Sequence, residues 1–164
     1  MATSSQGYGQ ATAGDTALSA TGGSVVDRNK AIVRRLFDEG INQRNTAVFY
    51  EMLAPTFVLH YPMAGPPLTE ANGLRQIVGV FLAAFPDLHF AIDTLIGEND
   101  LVCVHAVVTG TNLGPWHDHP PTGRCVSYTA TGILSVQAAK IAAMTINDDR
   151  CGLLQQLGLI TLPQ

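Results

Sequence analysis

This chain is poor in charge. Only 13% of its 164 residues are Asp, Glu, Lys or Arg, and nine basic against thirteen acidic side chains leave a net charge of −4. So few scattered basic residues form no patch for nucleic acid. A hydrophobic content of 46% excludes a disordered, highly charged chain. Cysteine is scarce too. Cys103, Cys125 and Cys151 are widely spaced. An odd number without C-x-x-C spacing argues against a disulfide framework and a zinc site, and for reduced thiols in a cytoplasmic setting. Long apolar runs are also missing. The longest, Ile77 to Phe85, is broken by Gly79, well short of the ~20 residues that span a bilayer. The first residues show neither the basic nor the apolar part of a secretory leader. Neither membrane nor nucleic acid is an expected partner.

Residues 1–25 are almost all Gly, Ala, Ser, Thr and Gln, with Asp15 their one charged side chain. Such a segment buries too little apolar surface to offset its ordering entropy, so it is expected to be a disordered, dispensable tail. One domain is expected over residues 26–164.

Structure is expected to begin with a helix from Asp27, as cap, to Ile41, with Val33, Leu36, Phe37 and Ile41 at helical spacing. A short helix over 46–53, stopped by Pro55, precedes a strand from Phe57 to Pro62. The clearest helix follows Thr69, its apolar face carrying Leu74, Ile77, Val78, Phe81, Leu82 and Phe85 before Pro86 ends it. Four strands come next, over 88–96, 101–111, 125–136 and 140–147, and a short helix over 149–159 closes the chain. Residues 97–100 and 137–139 are turns by position, although Ala138-Ala139 is poor turn chemistry. Helices followed by a run of strands is the α+β pattern. A bent meander over a long amphipathic helix encloses an apolar cavity with a few polar groups.

Four segments, in this order and spacing, resemble the SnoaL-like polyketide cyclase family: Phe85-Pro-Asp-Leu, Thr109-Gly-Thr, Pro120-Pro-Thr-Gly-Arg, and Asp149-Arg-Cys-Gly-Leu-Leu-Gln-Gln-Leu-Gly. His60-Tyr-Pro is also similar. The resemblance covers about residues 27–160. It implies the nuclear transport factor 2-like cone, with N-terminal helices packed in a strongly curved, mostly antiparallel sheet around a deep pocket, often as a homodimer. It implies a hydrophobic polyketide-like substrate and ring closure by an intramolecular aldol reaction, without cofactor. Relatives in the broader family isomerise, assist hydroxylation or only bind.

Asp149 matches the position of the family's catalytic aspartate. As general acid/base it would take a proton from carbon beside a carbonyl and return one to the new alkoxide. Its alternative role is a helix cap, and Asp148 is the alternative acid. His60 would assist if Val58 and His60 face the cavity. Phe37, Tyr50, Tyr61, Met63, Trp116 and Tyr128 are the large side chains expected to meet a flat ligand. Ser135 and Asn147 are the polar groups expected beside it. His105 is weighed as a sheet histidine. Ala106, Ala143, Met144 and Thr145 replace larger or more polar residues of relatives, which implies a roomier, less polar pocket. His117 and His119 form a His-x-His that would need His60 or His105 to hold a metal; no metal is expected.

Overall fold

Six strands share one curled sheet, seen in a computed structural model that describes residues 23–161. Most of the expected tail, residues 1–22, lies outside the described residues. The strands are β1 (Leu53–His60), β2 (Leu68–Thr69), β3 (His89–Glu98), β4 (Leu101–Thr111), β5 (Cys125–Gln137) and β6 (Lys140–Asp148), in the order β2-β1-β6-β5-β4-β3. β3 to β6 are the expected antiparallel meander. β1 returns beside β6 in parallel and closes the curl. Side chains alternate along each strand. Val102, Val104, Ala106 and Val108 of β4 are buried on the concave side, as are Val126, Tyr128 and Leu134 of β5.

Four helices fill the hollow and its rim: α1 (Val25–Arg35), α2 (Ala47–Met52), α3 (Glu70–Ala84) and α4 (Arg150–Leu157). α1 starts earlier than expected, because Ser24 is the cap. Asp27 donates its N–H to Ser24 Oγ at 3.1 Å, and its carboxylate accepts the Ser24 N–H at 3.1 Å. Asp27 therefore closes a capping box from the third position instead of capping the helix itself. Beyond Arg35 the helix widens into a π-turn over Leu36–Asn42. Such turns are rare and concentrate at functional sites. This one ends at Asn42, whose side chain exchanges two hydrogen bonds with the Phe90 backbone, 2.8 and 2.9 Å. The helical layer is thereby tied to β3.

Pro55 does not stop the second helix. It lies within β1, exposed, where the register against β6 shifts between Leu53 and Val58. A residue without an N–H costs no ladder bond there. Ala138 and Ala139 form the two-residue β5–β6 turn, both left-handed at φ 47° and 58°.

The recognised segments converge at one end of the sheet. Asp87 accepts the Thr111 N–H at 2.6 Å and its hydroxyl at 2.7 Å. Asn112, fully buried, donates to Gly114 O and Ala84 O and accepts from the Thr122 N–H and hydroxyl. Arg124 donates to Gln156 O at 3.1 Å, near the end of α4. Gly114 has no room for a side chain, because a Cβ would strike Ala83 O. This clamp joins α3, the 112–124 loop and α4.

Candidate active site

Between α3 and the concave face lies an apolar cavity, an atom-free space of about 560 Å³ with its open mouth included. The π-turn contributes Phe37 and Ile41, and α3 contributes Leu74, Ile77, Val78 and Phe81. Met144, Ile146 and Asp148 reach in from successive inward positions of β6. Tyr61, just past β1, and Tyr128 on β5 complete the polar edge. Hydroxyls and carboxylate thus gather at one corner of an otherwise hydrocarbon wall.

The corner is built around a buried ion pair. Arg150 Nη2 lies 2.8 Å from Asp148 Oδ2, with side-chain exposures of 13% and 7%. The same oxygen accepts the Tyr61 hydroxyl at 2.9 Å, and Arg150 also contacts that hydroxyl. The guanidinium carbon lies 5.9, 5.3 and 5.0 Å from the ring centroids of Tyr61, Phe81 and Trp116, an aromatic enclosure that favours a cation. Two details remain open. Arg150 Nε is buried without a hydrogen-bond partner among the described residues. Asp148 Oδ1 has no partner among them either, since both bonds fall on Oδ2. Burial pushes the Tyr61 and Tyr128 hydroxyls well above the usual phenol value. The Asp148 charge pushes the same way on both, and Arg150 opposes it. Both phenols therefore stay protonated donors at neutral pH.

Asp149 does not enter the cavity. It is exposed and caps α4, accepting the Gly152 N–H at 2.8 Å through Oδ1. Consecutive residues leave a strand on opposite sides, and it is Asp148 that turns inward. His60 is exposed because β1 presents Phe57 and Leu59 inward, with Tyr61 following, and Val58 and His60 outward. Tyr50 is 53% exposed with its hydroxyl on Asn72, and Met63 is 58% exposed; neither lines the cavity. Ser135 binds Asp100 at the far end of β5, and Asn147 is exposed on the outer face. Trp116 is buried behind Arg150 instead of lining the wall. Phe37, Tyr61 and Tyr128 line the cavity. His105 pairs with Asp93 at 2.8 Å on the outer face. Ala106 is buried on the concave side but does not reach the cavity. His117 and His119 are exposed on the 112–124 loop. Among the described residues no cluster of three or more His, Cys, Asp or Glu is placed to hold a metal, and no helix is long and apolar enough to cross a membrane.

Sequence reasoning passed over Arg150 and set Asp148 aside. The signal was present: counting in twos from Met144, the start of the regular part of β6, gives Ile146 and Asp148 the same face.

Comparison with known proteins agrees with this architecture. The family model for SnoaL-like polyketide cyclases matches residues 31–157. The chain belongs to that family. No curated protein sequence matches it. Among solved structures, a candidate SnoaL-like polyketide cyclase of Jannaschia sp. CCS1 superposes with a TM-score of 0.77 at 22% identity, covering 86% of this chain and 99% of that one. IdmH, a candidate polyketide cyclase of Streptomyces antibioticus, gives 0.73 at 25% identity, over 79% and 98% of the two chains. AclR, a candidate hydroxylase of Streptomyces galilaeus, gives 0.75 at 21% identity, over 85% and 90%. The fold is the nuclear transport factor 2-like cone, which this SnoaL-like chain shares with proteins given different activities.

Proposed function

We propose that the protein is a cofactor-independent cyclase, closing a ring in a hydrophobic polyketide-like substrate with Asp148 as general acid/base. The observation that carries this reading is the asymmetry of the Asp148 carboxylate. Oδ2 is held by Tyr61 and Arg150, while Oδ1 has no partner among the described residues and belongs to a side chain lining an apolar cavity. A carboxylate anchored through one oxygen is oriented, and its other oxygen is available to take a proton. Asp148 Oδ1 removes a proton from carbon beside a carbonyl. The carbanion adds to a ketone within the same molecule, and the proton on Oδ1 passes to the new alkoxide. Conjugated carbonyls of the substrate hold the charge, so the chemistry itself requires no cofactor. The hydrocarbon wall folds the substrate, and such preorganisation contributes several kcal/mol. An isomerase uses the same first step and returns the proton to another carbon.

The test is hydrogen–deuterium exchange at the α-carbons of 2-tetralone, a bicyclic enolisable ketone, followed by NMR. Asp148→Asn is expected to lower the catalysed rate by 10²-fold or more, and Asp149→Asn to leave it unchanged. The double variant Asp148→Asn/Arg150→Met removes both charges and guards against loss of fold. Full exchange activity in a folded Asp148 variant overturns the reading. Recovery of 2-tetralone bound but unexchanged by the wild type favours a binding protein. A homodimer belongs to the same proposal, because the outer face exposes Ile96, Leu101 and Ile133; light scattering at the monomer mass would refute it.

A further inference from the structure

One polar group of the cavity has no role in the step above. Tyr128 is 5% exposed and lines the cavity from β5, and its hydroxyl makes no hydrogen bond among the described residues. The strand register fixes where it stands. Ala130 of β5 pairs with Asp148 of β6. Tyr128, two residues away on the same face, is therefore the diagonal neighbour of Asp148, a spacing of roughly 7–8 Å that long side chains bridge. Among the described residues the cavity's polar corner thus holds one unpartnered phenol donor, on Tyr128, and one unpartnered carboxylate oxygen, Asp148 Oδ1.

We infer that the Tyr128 hydroxyl is the hydrogen-bond donor that receives the substrate's carbonyl oxygen, so that the ligand is an enolisable ketone lying with its oxygen toward β5 and its acidic C–H toward β6. This rests on the proton-transfer reading of Asp148. As the C–H bond breaks, its proton goes to Asp148 Oδ1 and its electron pair moves through the α-carbon onto the carbonyl oxygen. That oxygen gains negative charge while accepting the Tyr128 O–H, and the phenol keeps its own proton. A donor aimed at developing charge inside a dry cavity is worth more than the same donor in water. Tyr61 cannot serve as well, because its hydroxyl is already committed to Asp148 Oδ2. The pocket therefore selects for an acceptor oxygen next to an acidic carbon, and discriminates against a hydrocarbon of equal shape, which would leave the phenol unpaired.

The experiment compares 2-tetralone with tetralin, the same bicycle without the oxygen. Wild-type protein is expected to bind 2-tetralone about fivefold tighter than tetralin. Tyr128→Phe is expected to erase that preference while leaving tetralin affinity unchanged, and to slow α-exchange of bound 2-tetralone by about 10²-fold. A Tyr128→Phe variant that keeps the preference, or keeps the wild-type exchange rate, overturns the inference. Equal losses for both ligands also overturn it, because they mark a packing role. The Asp148 reading fails separately: exchange that survives Asp148→Asn sinks it, and the tetralone–tetralin preference still decides the Tyr128 contact.

Discussion

Two polar clusters stabilise this domain, and they differ in how completely they are satisfied. The clamp around Asn112 fills its side-chain bonding capacity: two donations, two acceptances, all to α3's end and the 112–124 loop. The corner around Asp148 is less deeply enclosed, and it leaves Arg150 Nε, Asp148 Oδ1 and the Tyr128 hydroxyl without partners among the described residues. A buried polar group left unpaired costs free energy. A network that closes on itself stabilises a scaffold, whereas one with open positions facing a cavity is complete only with a ligand. The difference separates framework from function more sharply than residue type does.

The largest effect is expected from Arg150→Met. It strands the Asp148 charge in an apolar site and should cost about 3–5 kcal/mol in a urea titration. Adding Asp148→Asn should recover most of that loss, showing that the stranded charge and not lost packing is responsible. Next comes Asn112→Ala, which takes away the side-chain partner of the Gly114 carbonyl and of the Thr122 donors, while Ala84 O keeps the Leu113 and Gly114 N–H groups. A loss of about 2–3 kcal/mol is expected, with no change in 2-tetralone affinity. If Asn112→Ala weakens ligand binding as much as stability, the separation of clamp from corner fails.

The clusters should also respond at opposite ends of the pH scale. Tyr61 and Tyr128 hold their protons in the folded state above the usual phenol value, chiefly through burial. The unfolded chain releases those protons near pH ~10. It then binds fewer protons than the folded chain, so stability falls as pH rises beyond ~10. Tyr61→Phe and Tyr128→Phe should flatten that fall. Asp87 behaves inversely. The Thr111 N–H, then its hydroxyl, hold the carboxyl below its usual value, so its contribution is present above ~4 and is lost as pH falls through the folded value. Asp87→Asn should flatten the acid limb in thermal melts and leave the alkaline limb untouched. The smallest effect is that of Asp149→Asn. Asn caps a helix about as well as Asp, so stability should change by under ~0.5 kcal/mol.

The same contrast explains what could be read from the chain. Phe85-Pro-Asp-Leu, Thr109-Gly-Thr and Pro120-Pro-Thr-Gly-Arg are contiguous segments because a clamp needs fixed local geometry at each end. They identified the family and fold. The site residues come from β5, β6, α4 and the end of β1, and each is one residue in an ordinary pattern. Asp148 and Asp149 differ only in which side of a strand end they leave, a parity set by the irregularity near Ala143. The facing of His60 stayed conditional, because residue type alone does not set the parity of β1; Phe57 and Leu59 turn inward and His60 outward. Arg150 lay within a recognised motif, but its meaning depends on Tyr61, Phe81 and Trp116, which meet it only in three dimensions.

The parallel pairing of β1 with β6 has a consequence for how the molecule is made. It joins Leu53 to Ile141 and His60 to Thr145, and the Tyr61–Asp148 hydrogen bond spans 87 positions. The β3–β6 meander can zip from local turns, but this seam requires a long loop to close first, and such contacts form late and slowly. During synthesis β1 emerges with only the two-residue β2 to pair with, until β6 and nearly the whole domain have left the ribosome. The cavity therefore does not exist in any N-terminal fragment, and a ligand added during refolding should accelerate no early phase. It should instead slow unfolding of the finished chain, where the seam is already shut.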